Sequence, residues 1–343
     1  MAIGFATASN PARSIGATRG SVLRSQREML SAPDTRPWVR WRNGVHVVDT
    51  PLWCDAQRTA GVCFVSSARV VGARRHHQVI ATEATARMLA RAGETREVLT
   101  VPYGRPFSLG ALRLELFPSG HMVGGAQVVI TTRRGRVAYA GAILPRPTCL
   151  GDRAEVRKAD ALVLAATFGE ARFRFPPREE VLAELLVWVR AQLAVGTTPV
   201  LLAEPLSIAP ELVCALGQAV PVSAHRDIAV AVGKLRALGH DRLVKVRRYA
   251  RAPTAGHVLL WPVGKRDAEA LRLCTQGNAC KLALVSGWAS DAEVVERARV
   301  DAAFALADEG DFEDLSDYVA QVAAKHVYLV GGTTLVFEGF RAQ

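Results

Sequence analysis

The sequence has no CxxC pair, and no histidine stands at ligand spacing from its six cysteines, Cys54, Cys63, Cys149, Cys214, Cys274 and Cys280. That pattern excludes a cysteine-based structural zinc site. The N-terminus has no apolar h-region, so the cysteines read as buried free thiols in a reducing cytosol and not as a secreted disulfide framework. No apolar run reaches the ~18 residues that a membrane-spanning helix needs, and no membrane partner is expected. Aromatic residues are scarce as well, at 6%, while glycine occurs 28 times.

Positive charge is plentiful. Lys and Arg number 43 against 32 Asp and Glu, a formal net charge of +11. An excess of this size suits a polyanionic partner such as nucleic acid or an anionic membrane face; a generally basic surface is the plain alternative. With 343 residues, half of them hydrophobic, the chain can bury one composite domain or two medium ones. Residues 1–35 form a separate basic segment, with Arg13, Arg19, Arg24 and Arg27 scattered among small residues. A phosphate-touching arm, a transit segment and a tail without a role all share that composition.

From about Trp38, short apolar runs punctuated by Gly and Pro predict strands at 45–49, 61–65, 79–81, 112–117, 127–131, 137–140 and 161–165. Gly135 marks a hairpin turn at 133–136. Residues 82–92 predict a helix with Thr82 as N-cap and Glu83–Arg87 as an i,i+4 pair. After Pro176 and Pro177, apolar spacing predicts a helix at 178–193. A strand at 199–203 and helices at 210–216 and 224–238 follow. Strands return at 283–286 and 326–330, around a helix at 312–322 that opens on Glu313 and Asp314. The residues alone give an α/β protein of two lobes.

Five stretches carry more specific information: 64–72 (FVSSARVVG), 117–127 (FPSGHMVGGAQ), 139–147 (YAGAILPRP), 164–169 (LAATFG) and 285–312 (VSGWA…RVDAAFALADEGDF). In this order they resemble the metallo-β-lactamase fold nucleases with a β-CASP insertion. Within that group the bacterial ligase-associated DNA exonucleases, relatives of mRNA 3′-end processing factors, are most similar. The resemblance implies a metallo-β-lactamase αββα sandwich over 36–175 and 281–343, with an inserted β-CASP-like α/β domain at 176–280.

The departures decide what the resemblance implies for activity. Where active members carry H-x-H-x-D-H, this chain has Ser67, Arg69, Val71 and Gly72. His121 keeps its family identity, but the bridging aspartate falls on Ala142 and the acidic residue of the E-S-T-F-G segment on Ala165. Two further histidines fall on Glu309 and Gly331, and the lysine of a G-K-A-Q-like segment falls on Ile208. A two-metal site needs several imidazoles and carboxylates converging on both ions, so no metal and no cofactor is expected.

Two other chemistries use the same residues. Ser66 or Ser67 with His121 and Asp308 or Glu309 would make a nucleophilic triad, although no G-x-S-x-G elbow surrounds either serine. Asp308, Glu309 and Asp311, joined by Asp49 or Asp301, would make an oxygen-ligand magnesium site. The expected function is a non-catalytic nucleic-acid-binding or scaffold protein derived from a DNA exonuclease, acting in repair. Its expected partners are DNA or RNA, with an ATP-dependent DNA ligase or a helicase beside it. The alternatives are an interaction subunit that pairs with an active relative and an altered phosphodiesterase. Candidate phosphate contacts are Arg74, Arg75, Arg133, Arg134, Arg136, Arg172, Arg174, Arg247 and Arg248.

Overall fold

The computed structural model describes residues 36–73, 76–90, 98–151, 153–276 and 279–331. The expected basic segment at 1–35, together with Arg74 and Arg75, lies outside the described residues. In chain order the first strands are β1 (Val39–Trp41), β2 (Val45–Val47), β3 (Leu52–Cys54), β4 (Val62–Phe64) and β5 (Gln78–Ala81). Helix α1 (Glu83–Leu89) follows, then β6 (Val98–Thr100), β7 (Phe107–Leu109), β8 (Leu112–Pro118), β9 (Ala126–Thr131), β10 (Arg136–Gly141) and β11 (Ala161–Ala165). Next come α2 (Arg178–Ala194), β12 (Thr198–Ala203), α3 (Ile208–Leu216), β13 (Val222–Ala224), α4 (Arg226–Ala237) and β14 (Arg247–Arg248). The chain continues through β15 (Val258–Pro262), α5 (Glu269–Thr275), β16 (Cys280–Val285), α6 (Ala292–Ala298) and β17 (Ala302–Phe304). It returns to the first lobe with α7 (Phe312–Val322) and β18 (His326–Val330).

Three six-stranded sheets result. The first runs β1-β2-β3-β4-β5-β6 and the second β18-β11-β10-β9-β8-β7. Both are mixed: hairpin-linked strands pair antiparallel at one side and parallel strands occupy the other. Side-chain alternation explains how they stack. Leu114, Leu116, Val128, Ile130, Val137, Tyr139 and Val163 point from the second sheet toward Val45, Leu52, Phe64 and Ile80 of the first. The alternate residues Phe117, Val129, Ala138, Leu162 and Leu164 face Leu315, Tyr318, Val319 and Val322 of α7. The second sheet is thus buried on both faces, one against a sheet and one against a helix.

The third sheet, β14-β13-β15-β12-β16-β17, is parallel throughout. Helices α2, α3 and α4 pack on one face of it. The other face carries α5 and α6. This sheet extends to Phe304, so the boundary expected after residue 280 falls at the start of β16, which pairs with β12 inside the sheet.

Many elements lie where the sequence puts them. Thr82 caps α1 by accepting from the Thr85 N–H, and Arg87 pairs with Glu83 at 2.5 Å. The turn at Gly135 closes the β9–β10 hairpin through a 2.8 Å bond from the Thr132 N–H to the Gly135 carbonyl. Short strands such as β1, β3, β6 and β13, and the whole run from β14 to α6 apart from β16, are additions by the structure. The Arg172–Phe175 alternation is not a strand: it is a loop in which Phe173 is buried against Phe168 and Trp288. Among the described residues no helix is long and apolar enough to cross a membrane.

Leu164 is fully buried where β11 meets α7. Leu164→Ala should therefore cost about 2–5 kcal/mol of unfolding free energy, the range for large-to-small changes in a packed core. Urea denaturation measures this, and a loss well under ~1 kcal/mol would show that α7 does not pack there.

Candidate functional site

Four segments meet where the two lobes touch: the loop after β4, the turn between β8 and β9, the end of β12, and the stretch 305–311 between β17 and α7. The β8–β9 turn is built on glycine. Gly120 has φ +72°, and a Cβ there would lie 2.0 Å from the Leu144 carbonyl oxygen. Only glycine allows that approach, and the turn it forms presents the next side chain, His121, inward. His121 is 6% exposed.

Its two ring nitrogens have fixed partners. Nδ1 lies 3.0 Å from the Asp308 carbonyl oxygen, which can only accept, so Nδ1 carries the proton. Nε2 is then the acceptor, and it faces Nη1 of Arg69 at 3.3 Å. The same guanidinium nitrogen donates to Oδ2 of Asp308, and Nε of Arg69 is 3.9 Å from Glu204. The Ser207 hydroxyl donates to Asp308 Oδ2 at 2.5 Å. Arg69 therefore lies between the imidazole and the carboxylate.

Charge in this cluster is unevenly shared. Burial pushes the Asp308 carboxyl up, but the Arg69 charge and the Ser207 hydrogen bond together hold it below the usual carboxylate range. Burial raises Glu309, with Asp308 adding to the effect against a Thr167 hydrogen bond and Arg69. Burial likewise raises Glu204, with Arg69 opposing. Desolvation works against the Arg69 charge, and Asp308, Glu204 and Glu309 outweigh it. One cation and one firmly ionised carboxylate dominate.

Arginines hold the Asp308 segment at both ends. Arg178, at the start of α2, forms a buried pair with Glu211 of α3 and donates to the Ala307 carbonyl. Arg146 contacts Asp311 at 2.6 Å and Asp314 at 2.8 Å, where Asp311 also caps α7. Between them the Gly310 N–H donates to Ile143 at 2.7 Å. Asp308 is thus fixed in place before any ligand arrives.

The donor set does not fit a pair of metal ions. His121, Asp308 and Glu309 bring ligand atoms within 4.8 Å of one another, so three donors cluster where sequence reading expected His121 alone. Of the other positions expected from the resemblance, Ala142 and Ala165 carry no donor atom, Val71 is 73% exposed, Gly331 has no side chain, and the buried Ser67 offers only a hydroxyl. Gly72 could not carry one: its φ is +85° and a Cβ would lie 2.7 Å from the Gln57 carbonyl oxygen. Arg69 already occupies Nε2 of His121 and Oδ2 of Asp308. At ~4 Å and an effective dielectric near 20, it would repel a dication by about 8 kcal/mol. The cavity beside His121, Ser207 and Asp308 is about 20 Å3, room for roughly one water.

Both other chemistries fail on geometry. The Ser66 hydroxyl is spent on Asp55 Oδ2 at 2.5 Å, and His121 contacts neither Ser66 nor Ser67, so no triad forms. Asp311 is held by Arg146 and Asp301 by Lys281 at 2.6 Å, so neither joins Asp308 and Glu309 around a magnesium ion.

Sequence reading passed over a second polar knot. Asp55, with φ +48°, accepts from the Ser66 N–H at 2.7 Å and from the Tyr139 hydroxyl at 2.8 Å. Burial raises its carboxyl pKa despite the Ser66 and Tyr139 hydrogen bonds. Glu204 and Ser207 were missed as well. A charged residue directly after the apolar run of β12 was the available signal, because such residues line the carboxyl edge of a parallel sheet.

The candidate phosphate contacts divide. Arg172 pairs with Glu170 and Asp291 at 2.9 and 2.6 Å, and Arg174 pairs with Glu313. Arg134 stacks 4.2 Å over the Trp38 ring. Arg133, Arg136, Arg247 and Arg248 are exposed and form no ion pair with the described residues.

Removing Arg69 leaves Asp308 without its cation, so Arg69→Ala should lower stability by about 1–3 kcal/mol at neutral pH. A depressed folded-state pKa means that Asp308 contributes stability above its unfolded pKa of about 3.9, lost as pH falls through the folded value. The gap between wild type and variant should accordingly narrow toward pH ~2. Denaturant melts at both pH values check this, and an equal gap would contradict the ion pair.

No family model matches the chain. The chain is 27% identical over 306 residues to a protein of Opitutus terrae named "Probable DNA ligase". The match covers 88% of this chain and 30% of that protein, so the chain spans less than a third of its relative's length. The link is a distant one to a protein named as a probable DNA ligase, joined to an incomplete cluster of three metal-binding residue types.

Proposed function

We propose that this chain is a metallo-β-lactamase fold protein with a β-CASP insertion that has lost two-metal hydrolysis. In this reading it is a non-catalytic nucleic-acid-binding or scaffold module that works beside a DNA ligase. The observation that carries the proposal is Arg69, whose guanidinium takes up the ligating atoms of His121 and Asp308. The two facing mixed sheets, from 36–175 and the C-terminal α7–β18, are the proposed metallo-β-lactamase-like core. The parallel-sheet lobe is the proposed insertion. The similarity to a ligase-named protein supports the repair setting, and the +11 charge supports a polyanionic partner. The alternative of a subunit that pairs with an active relative lacks comparable support. Val181, Leu185 and Val189 of α2 are buried in their own lobe, and Val319 and Val322 of α7 are buried against the second sheet.

End-labelled single- and double-stranded DNA and RNA, incubated with Zn2+, Mn2+ or Mg2+, should remain uncut by wild type and by His121→Ala alike. The same oligonucleotides should be retained at low salt and released as salt rises. Metal-dependent cutting that disappears in His121→Ala would overturn the proposal, and so would failure to bind any nucleic acid or ligase module.

A further inference from the structure

The parallel lobe is doubly wound. Helices α3 and α4 connect β12 to β13 and β13 to β14 over one face, while α5 and α6 connect β15 to β16 and β16 to β17 over the other. The connections change face between β13, which leads into α4, and β15, which leads into α5, and these two strands are neighbours in the sheet. In open parallel sheets the crevice at the carboxyl ends of the strands flanking such a reversal is where ligands bind. Here the segment leaving β15 carries Lys265, and the segment leaving the adjacent β13 carries His225 and Arg226.

Lys265 and His225 flank one carboxylate on this rim. Lys265 Nζ is 2.7 Å from Asp227 Oδ2, and His225 Nδ1 is 3.8 Å from the same oxygen. The Lys265 hydrogen bond holds the Asp227 carboxyl below its ordinary range, with the charges of Lys265 and Arg226 adding to it. Burial lowers the His225 pKa, and Lys265 and Arg248 lower it further against Asp227. Arg226 and Arg248 are exposed and form no ion pair with the described residues.

The shape of the rim selects an extended anion. β14 is an edge strand, so nothing in the sheet closes the rim on that side. Arg247 and Arg248 are consecutive on it and point to opposite faces of the sheet, so a polymer crossing the edge meets a cation on either side. The rings nearby are turned inward: Trp261 is 1% exposed, and Tyr249 packs on it at 5.3 Å. Contacts to phosphate are therefore available, while base stacking is not.

We propose that this carboxyl-edge rim binds the phosphodiester backbone of a nucleic acid through Arg226 and Arg248, with Arg247 extending the track and Lys265 held beside them by Asp227. This deepens the nucleic-acid-binding reading and rests on it. The contact is independent of sequence and lies on the β13–β14–β15 side of the lobe, apart from His121 and Asp308.

The test is fluorescence anisotropy of labelled single- and double-stranded oligonucleotides with the full chain at several salt concentrations. Wild type is compared with Arg226→Glu/Arg248→Glu and with a control, Arg113→Glu/Arg190→Glu, at two exposed arginines, folding being checked by circular dichroism and thermal melting. The rim variant should lose about tenfold or more in affinity, with a salt slope shallower by about one per phosphate contact. The Arg113/Arg190 variant should keep the wild-type slope. Arg226→Lys/Arg248→Lys should restore most of the binding. Wild-type binding with an unchanged slope in the rim variant would overturn the rim and leave the nucleic-acid reading standing. Wild type that binds neither DNA nor RNA would overturn both. Binding to phosphatidylserine vesicles in place of oligonucleotides, lost in the rim variant, would assign the rim to a membrane face and overturn the proposal.

Discussion

The ion pair between Arg69 and Asp308 joins a loop of the mixed-sheet lobe to the segment that returns from the parallel lobe. His121 from the β8–β9 turn and Ser207 from the start of α3 bond to the same pair. A two-metal centre would use such a position to gather ligands around a dication. Here a side chain of the protein supplies the positive charge. The consequence is electrostatic and orienting: the carboxylate is neutralised and the imidazole is held. Arg178 and Arg146 pin the segment from either side, so the pair is rigidly placed and not an incidental surface contact.

The surroundings are consistent with that arrangement. Positions 142 and 165 carry alanine and Val71 faces solvent, so none brings a ligand atom to the cluster. Glu309 and Glu204 lie beside the pair, but burial shifts both toward their neutral forms. Asp55 accepts three hydrogen bonds from Ser66 and Tyr139, a structural role that needs no metal.

Much of the fold was legible in the sequence, because buried strands and amphipathic helices carry their own periodicity. β11, α7 and β18 could be bounded from apolar pattern alone, and Thr82 and Gly135 marked a cap and a turn. The two- and three-residue strands β1, β3, β6, β13 and β14 were not legible, since so few residues cannot establish an alternation. The site was half legible. The resemblance singled out His121 and Glu309, and the structure brings both together with Asp308. The contact of Arg69 with His121 and Asp308 joins residues 52 and 239 apart in sequence, and only the tertiary fold shows it. The arginines taught the same lesson: Arg172 and Arg174 resembled a binding stretch, but Glu170, Asp291 and Glu313 neutralise them.

The most direct test of the account is metal content. The purified 343-residue chain, equilibrated with Zn2+ or Mn2+ and dialysed, is analysed by inductively coupled plasma mass spectrometry beside Arg69→Ala. The account predicts no stoichiometric metal in the wild type, because Arg69 holds the ligand atoms that an ion would need. One or two equivalents retained per wild-type chain, and lost in His121→Ala, would contradict it.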